Sequence, residues 1–365
     1  MVRLVGVGLA VVLCFAASVR GDDLAKTYEE TVAKAIQFLG TSQAEDGSYT
    51  AANGPGITAL VTTGVLRQGR APQDPLVAKS LKYLEGFVQK DGGVYKEGSS
   101  HKNYETCLAV LCFKEANKDG RYDKLLANAD MFIKGEQWDA EEGKKEADVE
   151  FGGAGYGGKK RPDLSNTQFF IDALQATGNG ADSEAIKRAL VFVSRCQNLE
   201  TEHNTTPFPA KNPDGGFYYT PAGGGDSMAG KTDEGGLRSY ASMTYAGLKS
   251  MLVAGVKPDD PRVKAAQKWI AKHYDLKSNP GMGEAGLYYY YHTFAKTMAT
   301  LGQDEFTDAE GKKHAWRAEL IQELAARQKP NGSWINEANR WLEGDPNIVT
   351  GYALLALSYA KPAGK

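Results

Sequence analysis

The chain has 365 residues, with 43 Lys and Arg against 45 Asp and Glu and a formal charge of −2 when His is neutral. No basic surplus is present to meet a phosphate backbone, which excludes nucleic acid as a partner. The length exceeds the usual size of a single hydrophobic core, so a one-domain reading requires an architecture that closes repeats on one another.

Arg3 precedes an apolar run from Leu4 to Ala17, and Val19-Arg20-Gly21 follows with small or modest residues. The run is too short for a comfortable membrane span. It predicts a signal peptide over residues 1–21, export to the periplasm or beyond, and a mature single domain over residues 22–365. An uncleaved N-terminal anchor is the alternative. Leu13 is too bulky to precede a lipid-bearing Cys14. Cleavage removes Arg3 and Arg20 from the 43 basic residues and takes the charge to about −4. It leaves Cys107, Cys112 and Cys196, which suit buried small hydrophobes better than a disulfide framework.

From Leu24 onward one unit recurs six times at a period of about 45 to 65 residues: an amphipathic helix, a Gln, a Gly-aromatic turn, and a more apolar helix. The turns are Gln43 to Tyr49, Gln89 to Tyr95, Phe151 to Gly158, Asp214 to Tyr218 after Gln197, Gly281 to Gly283, and Gln328 to Trp334. Asp-Gly and Asn-Gly pairs suit tight turns because Gly accepts positive φ and Asx side chains bond their own backbone. The Gln is expected to tie the helix end to the turn.

The first helix of each pair carries an apolar stripe, as Val32, Ala35, Ile36 and Leu39 do between Glu29, Glu30 and Lys34. Its companions are predicted at Pro75 to Gln89, Tyr122 to Trp138, Ser183 to Gln197, Pro261 to Tyr274 and His314 to Gln328. The second helices are predicted at Ile57 to Leu66, Asn103 to Phe113, Leu164 to Ala176, Arg238 to Val253, Tyr288 to Leu301 and Ile348 to Tyr359. They are short of charge all round, which marks helices buried on most sides. Six exposed and six buried helices make an all-α, α6/α6 toroid, with open superhelical stacking as the alternative.

These Gln-to-Gly-aromatic repeats resemble those of the squalene cyclase and protein prenyltransferase β-subunit superfamily over Leu24 to Tyr359. The resemblance implies a terpenoid cyclase-type toroid and an isoprenoid-like ligand. The inner helices would start at one end of the barrel and gather their first turns around a central cavity. Related cyclases use an Asp-x-Asp-Asp acid, whose positions would fall on Asp163, Ser165 and Asn166. A serine hydroxyl cannot serve as so strong an acid. Asp163 remains a catalytic candidate, and an N-cap is its structural alternative. Tyr288 to Thr293 resembles the Phe-Tyr-His-Thr segment of prenyltransferases, whose His binds zinc. His292 matches and is the second catalytic candidate, but the other ligand positions fall on Arg238 and Tyr240, so neither metal nor cofactor is expected.

Tyr104, Phe169, Tyr240, Tyr245 and Tyr290 could line an aromatic pocket suited to a carbocation, an isoprenoid or a sugar ring. They could equally fill the barrel as core. Arg238, Glu343 and Asp345 are further ligand-binding candidates at helix entrances, where capping is the alternative. Lys134-Gly135-Glu136-Gln137 resembles the thioester motif of other toroids without its Cys. The insertions 139–158 and 200–231 are long enough to contact a protein partner. Three functions follow from these readings. One is isoprenoid binding or catalysis, another a non-catalytic extracytoplasmic scaffold for a protein, lipid or glycan, and the third a polysaccharide-lyase-like enzyme.

Overall fold

The computed structural model describes residues 21–362. The expected signal peptide lies outside the described residues except for Gly21. Among the described residues, twelve helices of at least eleven residues carry the fold in two rings. The outer ring is α1 (Gly21–Ser42), α3 (Pro75–Glu85), α5 (Asp123–Lys134), α7 (Glu184–Arg195), α10 (Pro261–Lys272) and α12 (Trp316–Arg327). The inner ring is α2 (Gly56–Arg67), α4 (Lys102–Ala116), α6 (Leu164–Ala176), α9 (Ala241–Val253), α11 (Leu287–Leu301) and α13 (Pro346–Ala360). A short α8 (Phe208–Lys211) and an antiparallel hairpin of β1 (Phe306–Thr307) and β2 (Lys313–His314) occupy connections.

Each inner helix packs on the next, from α2 through α4, α6, α9 and α11 to α13, and α13 packs back on α2. In the outer ring α12 meets α1. The ring is closed. Burial follows this placement: every residue of α2 from Gly56 to Leu66 is buried, whereas α7 buries Ala185, Ile186, Ala189, Phe192 and Val193 and exposes Glu184. Burying a side chain such as Phe192 contributes about 1.5–3 kcal/mol.

The repeated Gln does more than tie a helix to its own turn. Gln43 donates from Nε2 to the Gly47 carbonyl and to the Leu76 carbonyl at the start of α3. Gln197 bridges Gly215 and Arg262 at the start of α10, and Gln328 bridges Gly332 and Thr31 in α1. One amide thus joins these turns to the following outer helix, and Gln328 joins the last repeat to the first; Gln89 in the second repeat bonds only the Phe87 and Tyr95 carbonyls of its own turn. Gln137 makes the same pair of bonds, to Gly152 and to Ala185 in α7, so the thioester-like tetrapeptide carries this clamp in the third repeat. The turn glycine must lie against that helix. A Cβ on Gly152 would sit 1.8 Å from the Arg188 carbonyl oxygen, and one on Gly332 would sit 2.2 Å from that of Lys34.

A second repeated bond holds the turn to its inner helix. The backbone N–H groups of Tyr49, Val94, Ala154, Phe217 and Trp334 donate to the hydroxyls of Thr58, Thr106, Thr167, Thr244 and Thr350. The fifth repeat departs from both patterns. There Asn279 accepts from the Ser242 amide, and Glu343 caps α11. Where a Gln follows, the outer helices end one to four residues before it, because the chain must turn to present it. Arg238 also precedes α9, since Tyr240 is extended at φ −147°, ψ 158°.

Candidate aromatic cavity

The N-terminal ends of the inner helices surround a cavity of about 300 Å³. Its wall is built from the first turns of those helices and from the segments that precede them. Tyr104 and Phe169 stand on α4 and α6, Tyr289 on α11 and Tyr352 on α13. Tyr240 enters from the residue before α9. The two long insertions close the wall rather than project from it: Tyr156 comes from the first, Tyr219 and Met228 from the second. Trp341 and Leu342 lie at the mouth, 44% and 42% exposed, with φ of +56° and +66°. Such conformations cost non-glycine residues roughly 1–3 kcal/mol each.

The rings touch in sequence. Centroids of Tyr104 and Phe169 are 5.6 Å apart, of Phe169 and Tyr289 6.2 Å, and of Tyr289 and Tyr352 5.8 Å. The hydroxyls of Tyr104 and Tyr352 then meet at 3.5 Å. Ser165, at the position matched to a cyclase acid, shares a hydrogen bond of 3.0 Å with the Tyr289 hydroxyl.

Asp163 lies behind this wall, 2% exposed. It caps α6, accepting from the Asn166 amide at 2.8 Å and from Asn166 Nδ2 at 2.7 Å, and Tyr219 is its further partner. Burial pushes its carboxyl up to about 6, although these hydrogen bonds favour the charged form. His292 lies beneath the cavity and stacks on Phe169 at 6.3 Å and 9°. Burial, then Lys296, holds its pKa well below the ordinary value, so the ring is neutral; among the described residues its Nδ1 has no hydrogen-bond partner. Deeper still, Asp172 bridges Lys249 at 2.8 Å and Lys296 at 2.6 Å. Burial opposes its charge, but the two ammonium groups hold it at about 2; burial brings Lys249 down to about 8.

Of the residues singled out in the sequence, the structure brings Tyr104, Phe169 and Tyr240 to the wall and leaves several others elsewhere. Tyr290 donates to the Asp275 carbonyl, and Tyr245 packs on Tyr290 and Phe294, so both point into the packing between rings. Within the Tyr288 to Tyr291 run it is Tyr289 that faces the cavity. Arg238 is exposed and donates to the Lys231 carbonyl. Glu343 accepts from the Tyr288 and Tyr289 amides and from Asn336, and burial pushes it up to about 7. Asp345 caps α13 and accepts from Thr50. Among the described residues no three His, Cys, Asp or Glu side chains gather as metal ligands would.

Sequence reasoning did not single out Tyr219, Tyr289, Tyr352 or Glu105 as wall residues. Tyr352 sits on a helix buried all round, whose pattern cannot say which face meets the axis. Glu105 has both oxygens engaged, Oε2 by the Lys96 amide at 2.9 Å and Oε1 by the Ser99 hydroxyl at 2.7 Å.

No protein-family model matches the sequence, and no curated protein matches it. Solved structures are similar in fold. A variant of the type II terpene cyclase MstE from Scytonema without ligand has a TM-score of 0.56 at 15% identity, over 93% of this chain and 97% of that one. Another variant of that cyclase, in complex with geranylgeranyl dihydroxybenzoate, gives 0.55 at 15%, over 93% and 98%. MstE itself without ligand gives 0.54 at 15%, over 92% and 98%. At such identity the likeness speaks for architecture alone. The chain has the fold of a type II terpene cyclase.

Proposed function

We propose that this chain is an exported binding protein that holds an isoprenoid-like apolar ligand in the aromatic cavity. The observation that carries the proposal is the cavity itself, about 300 Å³ and walled by eight aromatic residues, a volume and lining suited to a small molecule. One solved example of the fold was determined with a geranylgeranyl-bearing substrate. Export rests on the run from Leu4 to Ala17.

Binding is favoured over cyclisation because the acid position is Ser165 and the carboxyl on the wall, Glu105, already has both oxygens engaged. Asp163 supports a second reading, since a buried carboxyl held at about 6 beside Tyr219 is a proton store adjoining the cavity. A glycan-cleaving site finds less support, as Arg238 and Tyr290 both lie off the wall.

The test is titration of the mature protein with farnesol and geranylgeraniol, read by tryptophan fluorescence, with Trp341→Phe as the optical control. Saturable binding that Ser165→Phe abolishes by filling the cavity is expected. Uptake unaltered by that substitution would sink the proposal. Conversion of either alcohol by the parent protein, lost in Asp163→Asn, would establish the second reading instead.

A further inference from the structure

We infer that the preferred ligand of this cavity is cationic, an ammonium group carried on an apolar body. This rests on the reading of the cavity as an apolar ligand site and names the chemistry of the ligand's head.

The cage comes first. Tyr104, Phe169, Tyr289 and Tyr352, from four different inner helices, form an unbroken circuit whose neighbouring centroids lie 5.6 to 6.2 Å apart and whose ends meet through two hydroxyls. The Tyr289 hydroxyl is also occupied by Ser165. What several convergent rings offer beyond apolar surface is the negative face of their π systems, which attracts a cation, most strongly when the site is dry.

The charge balance points the same way. Among the described residues that line the cavity there is no Lys or Arg, and the one carboxylate is Glu105. His101 at the rim adds no charge at neutral pH, because burial and Lys160 lower its pKa. Of the nearby rim cations, Lys102 pairs with Glu136 and Arg161 with Asp226, whereas Lys160 and Arg340 have no carboxylate partner among the described residues. Arg340 lies over Trp341 at 4.3 Å at the exposed mouth, itself an example of a cation seated on this aromatic lining. A phosphate, diphosphate or sulfate head would enter a site with no lining cation to meet it.

The adverse charges are Arg340 at the exposed mouth, outside the circuit of four rings, and the deep pair of lysines. Lys296 is seven residues beyond Tyr289 on α11, about 10 Å along the axis, with His292 between. Asp172 bonds to both lysines, which leaves at most one uncompensated charge at that distance. The four rings are nearer to a ligand than this charge.

The experiment is calorimetric titration of the mature protein with octyltrimethylammonium, octanol and octyl sulfate, each below its micellar concentration. The ammonium compound is expected to bind about tenfold more tightly than octanol, with octyl sulfate the weakest. Phe169→Leu combined with Tyr352→Leu should erase that preference while octanol binding persists. Tyr352→Phe, which keeps the π face, should retain it. Near-UV circular dichroism identifies any variant that has lost its packing. Octanol binding as tightly as the ammonium compound, or octyl sulfate matching it, overturns the inference and leaves the apolar-ligand reading intact. Failure of all three to bind overturns both.

Discussion

Asp172→Leu tests how the barrel tolerates charge along its axis. Asp172 is 2% exposed and is shared by Lys249 and Lys296, themselves 1% and 14% exposed. Removing the carboxylate leaves two ammonium groups in a largely buried site, and breaking a buried pair in this way costs about 3–5 kcal/mol. The cost should depend on pH with a definite sign. Lys249 already has a folded-state pKa near 8, below the ordinary lysine value, and loss of its partner lowers it further. A lysine depressed in the folded state binds fewer protons there than when unfolded, so stability rises with pH between the two values. The deficit should therefore be largest near neutrality and shrink toward pH 10 as the buried amines discharge. Guanidinium unfolding of both proteins between pH 7 and 10, with Asp172→Leu/Lys249→Met/Lys296→Met as the apolar replacement, measures it. The triple variant should recover most of the loss. A deficit under about 1 kcal/mol, or one unchanged at pH 10, would refute the reasoning.

Other consequences are more local. Gln328→Ala removes the two amide hydrogen bonds that join Gly332 and Thr31, and should cost about 1–3 kcal/mol, with faster hydrogen exchange in α1 and α12; exchange increased uniformly around the ring would speak against a local seam. Gly152→Ala should cost more than Gln328→Ala, because its methyl would sit 1.8 Å from a backbone oxygen at φ +82°; equal midpoints in denaturant would contradict this. Glu343, raised to about 7 by burial, contributes stability that is complete below the unfolded glutamate value and is lost as pH rises through 7. Glu343→Gln should flatten the stability profile between pH 5 and 7, and a profile still falling as steeply would show that another group is responsible. Thr244→Val deprives the Phe217 amide of its acceptor at no cost in volume and should destabilise by about 1–3 kcal/mol, whereas a neutral result would mean that water takes the bond.

Much of the architecture was legible in the chain because outer and inner helices alternate along it in six pairs. The contrast between striped and uniformly apolar helices separated the outer ring from the inner one, and α6 was placed at its observed bounds. The helix ends were less legible: hydrophobic spacing carried Pro75 to Gln89 as one helix, but the chain leaves the helix at Glu85 to bring Gln89 into its turn. The reach of the Gln was hidden for a different reason. Its second acceptor lies in the next outer helix, 33 residues away for Gln43 and 297 away for Gln328, and spacing within one unit carries no trace of it.

The cavity was legible as a place more than as a set of residues. Helix starts located Tyr104, Phe169 and Tyr240 at one end of the barrel. The four tyrosines from Tyr288 to Tyr291 could not be sorted, because a helix turns by about 100° per residue and only contact with the ring decides which one faces the axis. Glu343 looked chemical in the sequence because it is acidic at a helix entrance. In the structure it satisfies the amides of a neighbouring helix, α11, whose own start offers a glycine at φ +69° and no side chain to do so.

The central claim is that the aromatic cavity is a ligand site, and native mass spectrometry tests it most directly. The protein and its Ser165→Phe variant would be purified from the source organism, and organic extracts of each would be compared. The account predicts a small apolar molecule with the parent protein and none with the variant. The same molecule recovered equally from both, with the variant folded, would place the ligand elsewhere and contradict the account.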